Sequence, residues 1–266
     1  ARAWSELMLK VTPLLLIGLG LAIGFRSNVW NIGAEGQFIL GAVCASGTAL
    51  ALQGSGVPVW PLVLLAGAVG GFGWAAITAL LRDRFNANEI LVSLMLVYVA
   101  VQVLNYLVYG PWKDPMGFNF PQTQRFDAGA LVPRLFDGLR VHIGLVLALV
   151  AAALVWAFLF RTRAGFAQQV GGLAPAAARY AGFSSRAALW TAIGVTGALA
   201  GLAGALEVAG PVGQLTPHVP VGYGFAAIIV AFVGRLHPVG IIGSAILMSM
   251  FYIGGELAQS RLGLPK

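Results

Sequence analysis

The sequence predicts an all-α, polytopic membrane bundle with broken or re-entrant helices, and three observations predict it. First, 59% of the 266 residues are hydrophobic and only 9% are charged, with a mean hydropathy of +0.86. A soluble domain carries about 25% charged residues, so the polar side chains here cannot cover a water-exposed surface. Second, apolar runs recur at about 20 residues, the length a helix needs to cross a hydrocarbon core. Third, most of the 36 glycines sit inside those runs, as they do where helix backbones pack closely in lipid. Runs of this length suit helices and exclude a closed barrel.

In order, the runs fall at 11–26, 36–53, 58–81, 90–109, 141–160, 187–209 and 239–255, with a shorter one at 222–233. The short run has the length of a re-entrant or broken helix. Seven or eight membrane segments follow, in one transmembrane domain over 1–266 with no soluble module attached. Gly67 with Gly71, and Gly197 with Gly201, are small-xxx-small pairs that fit close packing. Trp60, Trp112, Trp156 and Trp190 stand near segment ends, as interfacial anchors do. The single cysteine, Cys44, lies in an apolar run and reads as a small buried hydrophobe.

Charge excludes some partners and leaves the topology open. The net charge is +7 with only three lysines, and the arginines are scattered between apolar runs. That spacing suits loops at a headgroup surface and not a phosphate-tracking patch, so no nucleic-acid partner is expected. Arg161, Arg163, Arg179 and Arg186 fall in 161–186 without an acid, whereas 110–140 mixes Lys113, Arg125, Arg134 and Arg140 with Asp114, Asp127 and Asp137. The contrast favours a cytoplasmic 161–186, but acids count little in the positive-inside rule.

Catalytic signatures are missing. No GxxxxGK[ST] occurs, and Lys10, Lys113 and Lys266 have no glycine-rich loop before them. His142, His218 and His237 are too widely spaced for a zinc pair; His142 and His237, at segment ends, read as solvated. No serine has a G-x-S-x-G context. The chain therefore reads as a transport component and not an enzyme, with no metal.

One stretch concentrates the polar groups. NVWNIGAEGQFILG, from residue 28, places Asn28, Asn31, Glu35 and Gln37 between two apolar runs. Each is costly in hydrocarbon and must face water, protein or solute. Irregular backbone at membrane depth is tolerated where protein buries it or a cavity adjoins it, and Gly33 and Gly36 permit a tight break around Glu35. An ordinary polar loop is the plainer reading of the same residues. Further along come ANEILVSLMLVYVA (87–100), RTRAGFAQQVGGLAPAAARYAGF (161–183), GLAGALEVAG (201–210) and GYGFAAIIVAFVGRLHPVGIIGSAI (222–246).

Taken together, these stretches resemble the permease subunits of ABC importers for ribose, other simple sugars and nucleosides. The likeness is closest to the nucleoside branch, where N-I-G-x-E-G-Q stands at this place, and it spans most of the chain. The resemblance implies a non-catalytic permease for a nucleoside or related simple sugar in the cytoplasmic (inner) membrane of a bacterium. It implies separate ATP-binding subunits that carry ATP and Mg, so that this chain holds no cofactor. It also implies a periplasmic or lipoprotein substrate-binding protein and a second permease chain, similar or identical, with a heterodimer favoured. Full-length relatives have about ten membrane-length helices, so a helix is expected beyond each end of this chain. In this family 161–183 contacts the ATPase. Two departures stand out: Ala174 where relatives often have Asn, which removes a helix N-cap worth about 1 kcal/mol, and Val97 where many carry Asn. The competing class is a self-sufficient ion- or proton-coupled secondary transporter or channel, for which Glu207 is the only acid well inside a late segment.

Two residue sets are the candidate sites. On 90–109, Tyr98, Gln102, Asn105 and Tyr109 recur at i, i+4, i+7 and i+11, one helical face. Amides and phenol rings there can meet ribose hydroxyls and a flat base, or can simply bond to neighbouring helices. With Asn31, Glu35, Gln37 and Glu207 these form the expected substrate pathway. Glu35 is read as a structural acceptor of backbone N–H groups, with Asn31 and Gln37 at the constriction. In 161–186, Pro175 suits a first helical turn, Ala176, Ala177 and Ala178 favour a helix, and Gly182 suits C′. A helix of about seven residues, too short to be stable alone in water, is expected there to dock into the ATPase through Arg179 and Tyr180. Arg163, Gly165, Pro175, Ala178 and Gly182 complete that set. A solvated loop at the headgroups is the plainer alternative.

Overall fold

In a computed structural model, which describes residues 2–54, 56–135 and 138–262, the chain folds into helices joined by short irregular segments. Asp137 and Lys266 lie outside the described residues. The helices are α1 (Arg2–Arg26), α2 (Ala34–Ala51), α3 (Trp60–Phe85), α4 (Glu89–Tyr109), α5 (Gly144–Arg161), α6 (Arg163–Leu173), α7 (Pro175–Tyr180), α8 (Ser185–Glu207), α9 (Tyr223–Val233) and α10 (Pro238–Leu262). Among the described residues the only β pairing is an isolated bridge between Arg134 and His142.

Six helices among the described residues are long and apolar enough to cross a membrane: α1, α3, α4, α5, α10, and α8 with its extension to Val212. The expected seven or eight segments included two more. The run at 36–53 forms α2, whose first turn contains Glu35 and Gln37. The run at 222–233 forms α9, whose 11 residues span only about 17 Å.

A helix that is apolar all round must be buried, and α1 is the central one. Leu14, Leu15, Leu16, Ile17 and Leu19 are fully buried, and α1 packs on α5, α8, α9 and α10. On its other side α8 packs on α2 and α3, and α4 lies outermost on those two. Glycines set the α2–α3–α8 spacing. A Cβ at Gly201 of α8 would lie 2.7 Å from the Cα of Gly71 on α3, and one at Gly41 of α2 would lie 2.7 Å from the Gly201 carbonyl carbon. Both pairs read from the sequence, Gly67–Gly71 and Gly197–Gly201, are in this seam.

Local chemistry ends the helices where the sequence changes. Asn88 caps α4 by accepting from Ile90 N at 2.9 Å, and Ser184 caps α8 by accepting from Ala187 N at 3.2 Å. Asn86 ends α3 in the left-handed region, φ 50°. Past Glu207, α8 continues as a π-turn, Val208–Val212, that contains Pro211.

The irregular segment between α4 and α5 lies across the end opposite α7. Thr123 N and Phe126 N donate to Leu215 O and Gly213 O, Val132 N donates to Ala209 O in the π-turn, and Val59 N donates to Gly129 O, all at 2.8–3.0 Å. His142 belongs to this layer. It was expected to be solvated but is only 4% exposed, and its Nδ1 accepts from Gly144 N at 3.1 Å, at the start of α5. Burial pushes its pKa from 6.5 down to about 4. Nδ1 can accept that bond only in the neutral ring.

Two outcomes follow. Gly201→Val should destabilise the detergent-solubilised protein by about 3 kcal/mol or prevent folding, because the new atoms meet backbone. Gly73→Ala, where a Cβ meets nothing within 4 Å, should stay within about 1 kcal/mol. The pH effect of His142 has a definite direction. Above 6.5 the ring is neutral in both folded and unfolded chains, and between 6.5 and about 4 only the unfolded chain gains the proton. Stability should therefore fall across that window by up to about 3 kcal/mol. His142→Gln should flatten the profile of melting temperature against pH.

Candidate functional site

The polar stretch at residue 28 forms a true break between α1 and α2. After Arg26 the chain turns, with Asn28 in the left-handed region at φ 57°, and carries no helix until Ala34. Asn31 and Gln37 are each 1% exposed and pair amide to amide. Asn31 Nδ2 donates to Gln37 Oε1 and Gln37 Nε2 donates to Asn31 Oδ1, both at 3.1 Å. The same Asn31 oxygen accepts from Gly33 N at 3.1 Å. Buried amides would each cost about 1–3 kcal/mol if left unpaired; here they are spent on each other and on the backbone.

Glu35 reaches across to a second break. Gly222, φ +82°, stands at the N-cap position just before α9, and its lack of a side chain leaves the helix without a cap of its own. Gly222 N donates to Glu35 Oε1 at 2.9 Å and Gly224 N donates to Glu35 Oε2 at 2.5 Å. One carboxylate thus satisfies two of the first amides of α9, which have no partner inside the helix. It also lies in the first turn of α2, so it offsets the positive ends of two helix dipoles at once. Gly224 lets the two helix starts touch: its Cβ would lie 2.5 Å from Glu35 Cα.

Helix α4 supports the break from the side. Ser93 Oγ accepts from Ile32 N at 3.3 Å. A Cβ at Gly33 would lie 2.7 Å from Ser93 Cβ, and one at Gly36 would lie 3.0 Å from Val97 Cα. The Trp74 indole nitrogen faces the same spot, 3.3 Å from that Gly36 position, and it is the one buried side-chain nitrogen or oxygen among the described residues without a hydrogen-bond partner.

The structure groups the candidate residues unevenly. Asn31, Glu35 and Gln37 come together in the interior. Tyr98, Gln102 and Tyr109 lie on the outer face of α4, with Tyr98 65% exposed, and Asn105 is half-buried beside them. Glu207 belongs to neither group. It is partly buried at the end of α8, where Lys10 and Arg140 are the cations that act on it.

Residues 161–186 form two helices. Pro175–Tyr180 is helical as expected, Ala174 offers no side-chain cap, and Gly182 follows at φ +80°. Ala178 faces inward at 5% exposure, while Arg179 is exposed and Tyr180 is 97% exposed. Helix α6 was not anticipated. Thr162 caps it by accepting from Gly165 N at 3.0 Å, and Arg163 starts it. Gly165 packs on the backbone of α5, where its Cβ would lie 2.7 Å from Leu159 Cα. The spacing of Phe166, Val170 and Leu173 was the available signal, hidden by Gly165, Gly171 and Gly172.

Glu35 can be tested for its place in this arrangement. Glu35→Ala leaves two buried amides unpaired and should cost about 2–5 kcal/mol of stability in detergent. Glu35→Gln keeps one carbonyl acceptor and should lose less than half as much, read from thermal unfolding of the two purified variants.

Residues 4–264 match the family described as "Branched-chain amino acid transport system / permease component". Among characterised proteins the chain is similar to the glucose ABC transporter permease protein of Haloferax volcanii, 35% identical over 98% of this chain and 71% of that protein. It is similar as well to the guanosine ABC transporter permease protein of Bacillus subtilis, 31% identical over 98% of this chain and 76% of that one. A nucleoside ABC transporter permease protein of Lactococcus lactis is 29% identical over all of this chain and 75% of its own length. No solved structure matches. The chain therefore belongs to this permease family, and it is a transmembrane permease subunit of the ABC-transporter kind.

Proposed function

We propose that this chain is the membrane-spanning subunit of an ATP-driven importer that moves a nucleoside or a related simple sugar across a bacterial cytoplasmic membrane. Separate ATP-binding subunits, with their ATP and Mg, supply the energy, and a substrate-binding protein delivers the solute. The relatives named for guanosine, nucleosides and glucose support the solute class.

The observation that carries the pathway is the polar stripe on α4. Tyr98, Gln102 and Tyr109 face outward from an otherwise apolar helix that contacts only α2 and α3 closely. Polar groups on a lipid-facing surface are costly, so this face meets a second permease chain and, between the two chains, the solute. A heterodimer fits this arrangement as a homodimer does, and the heterodimer is the version proposed. Asn31, Glu35 and Gln37 hold the backbone behind the stripe, whereas Glu207 lies apart from it at the end of α8, beside Lys10 and Arg140. The half-length α9 and the break before α2 are membrane-depth features, which brings the segments in this chain to about eight.

Helix α7 is the docking element for the ATPase, which sets its end of the bundle in the cytoplasm. A six-residue helix is too short to persist alone; packing of Ala178 holds it, and Arg179 and Tyr180 are left free to enter a groove on the partner. Arginine and tyrosine are enriched among interface hot spots, where truncation costs about 2 kcal/mol or more.

Three outcomes test the proposal. Membrane vesicles containing the complete complex should take up labelled guanosine or glucose only with ATP; uptake driven by a proton gradient without the ATPase would instead support the secondary-transporter reading of Glu207. Gln102→Ala should assemble normally and slow uptake about tenfold, the loss of roughly one good polar contact, and a wild-type rate would remove it from the pathway. Arg179→Ala with Tyr180→Ala should lose the ATPase subunit on co-purification and lose uptake; if both survive, α7 is not the docking helix.

A further inference from the structure

Helix α6 stands between the exposed α7 and the buried end of α1, and two neighbouring glutamines carry its contacts. Gln168, 3% exposed, accepts from the Ser27 hydroxyl through Oε1 and donates through Nε2 to Ala188 O of α8 at 3.2 Å. Gln169 Oε1 accepts from Arg26 Nη1 at 3.0 Å, and its Nε2 donates to Leu159 O of α5 at 2.7 Å. Arg26 in turn donates through Nε to Leu236 O, at the turn between α9 and α10, at 2.8 Å. Backbones meet at the same place: a Cβ on Gly172 would lie 2.9 Å from the Arg26 carbonyl carbon. One turn of α6 is thereby bonded to α1, α5 and α8, and reaches the α9–α10 turn through Arg26.

Ser27 opens the non-helical link that leads through Asn31 to Glu35, so a displacement of α6 arrives at the break through a single short stretch of chain. A cavity of about 330 Å³, lined in part by Ser27, Asn28, Val29, Gly171, Pro175 and Leu189, lies beside the link. Close-packed interiors transmit displacement and resist compression, whereas this cavity gives the link room to move. We propose that Gln168 and Gln169 are positioning residues that pass motion of the ATPase-docking helices to the Asn31–Glu35 break, through Ser27 and Arg26. The inference rests on α7 being the docking helix.

The test uses the complete complex in proteoliposomes, with ATP hydrolysed and solute imported measured on the same sample. Gln168→Ala and Ser27→Ala should each retain the ATPase subunit and keep basal hydrolysis within about twofold, while solute imported per ATP falls about tenfold. A purely structural prop would lower both activities together. The double variant Ser27→Ala/Gln168→Ala should be no worse than Gln168→Ala alone, because the contact between the two side chains is already gone in that single variant. Ser27→Ala removes one oxygen atom and so keeps the test available if Gln168→Ala folds poorly. Wild-type import per ATP in both single variants, additive losses in the double variant, or loss of the ATPase subunit would each overturn the inference. Failure of the docking reading itself shows separately, in Arg179→Ala with Tyr180→Ala, which leaves this contact intact.

Discussion

Two helices that start inside an apolar bundle each present unpaired N–H groups and the positive end of a dipole, and nothing in hydrocarbon can answer them. In this chain the starts of α2 and α9 meet, and the Glu35 carboxylate lies between them, accepting from Gly222 N and Gly224 N. The bond pairs residues 187 and 189 positions apart, so it fixes the fold across most of its length. It also explains the residue types around it. A larger residue at Gly224 would strike Ala34 and Glu35, one at Gly33 would strike Ser93, and one at Gly36 would press on Val97.

The rest of the bundle keeps that junction in place. Fully buried leucines make α1 a fixed pillar, and the glycine seam sets α8 against α2 and α3 at backbone distance. Asn31 and Gln37 close the break on the α2 side by satisfying each other. At the α7 end, Arg26, Ser27, Gln168 and Gln169 bind the start of the break to α6. At the opposite end, the segment between α4 and α5 pairs with the π-turn and with residues 213–215, which lead down to Gly222. The break is therefore held from both ends of the bundle.

Much of this was legible in the sequence, for reasons that differ by element. Apolar runs of membrane length located α3, α4, α5, α8 and the start of α10 within a few residues, because hydropathy alone decides them, whereas α10 continues past its run to Leu262. Pro175, three alanines and Gly182 located α7 because a helix start and stop were both written in. The cluster of Glu35 with Asn31 and Gln37 announced a break, and the acceptor role of Glu35 followed from its glycine neighbours. Which amides donate to Glu35 did not follow, because Gly222 and Gly224 are remote in sequence and carry no side chain to signal a partner. Helix α1 began earlier than its apolar run, since Arg2, Glu6 and Lys10 interrupt the first turns. Helix α6 was missed because its three glycines mask a short apolar repeat. His142 looked like a loop-end residue, and only the fold buries it against Gly210 and the start of α5.

The most direct measurement is amide hydrogen exchange across residues 221–225 in the lipid-reconstituted protein. If Glu35 holds the start of α9, the Gly222 and Gly224 amides should exchange as slowly as amides in the middle of α9, and Glu35→Ala should speed them selectively while α1 stays protected. Exchange at Gly222 and Gly224 as fast as in the exposed segment around Met116 to Phe120, in the wild-type chain, would contradict the account.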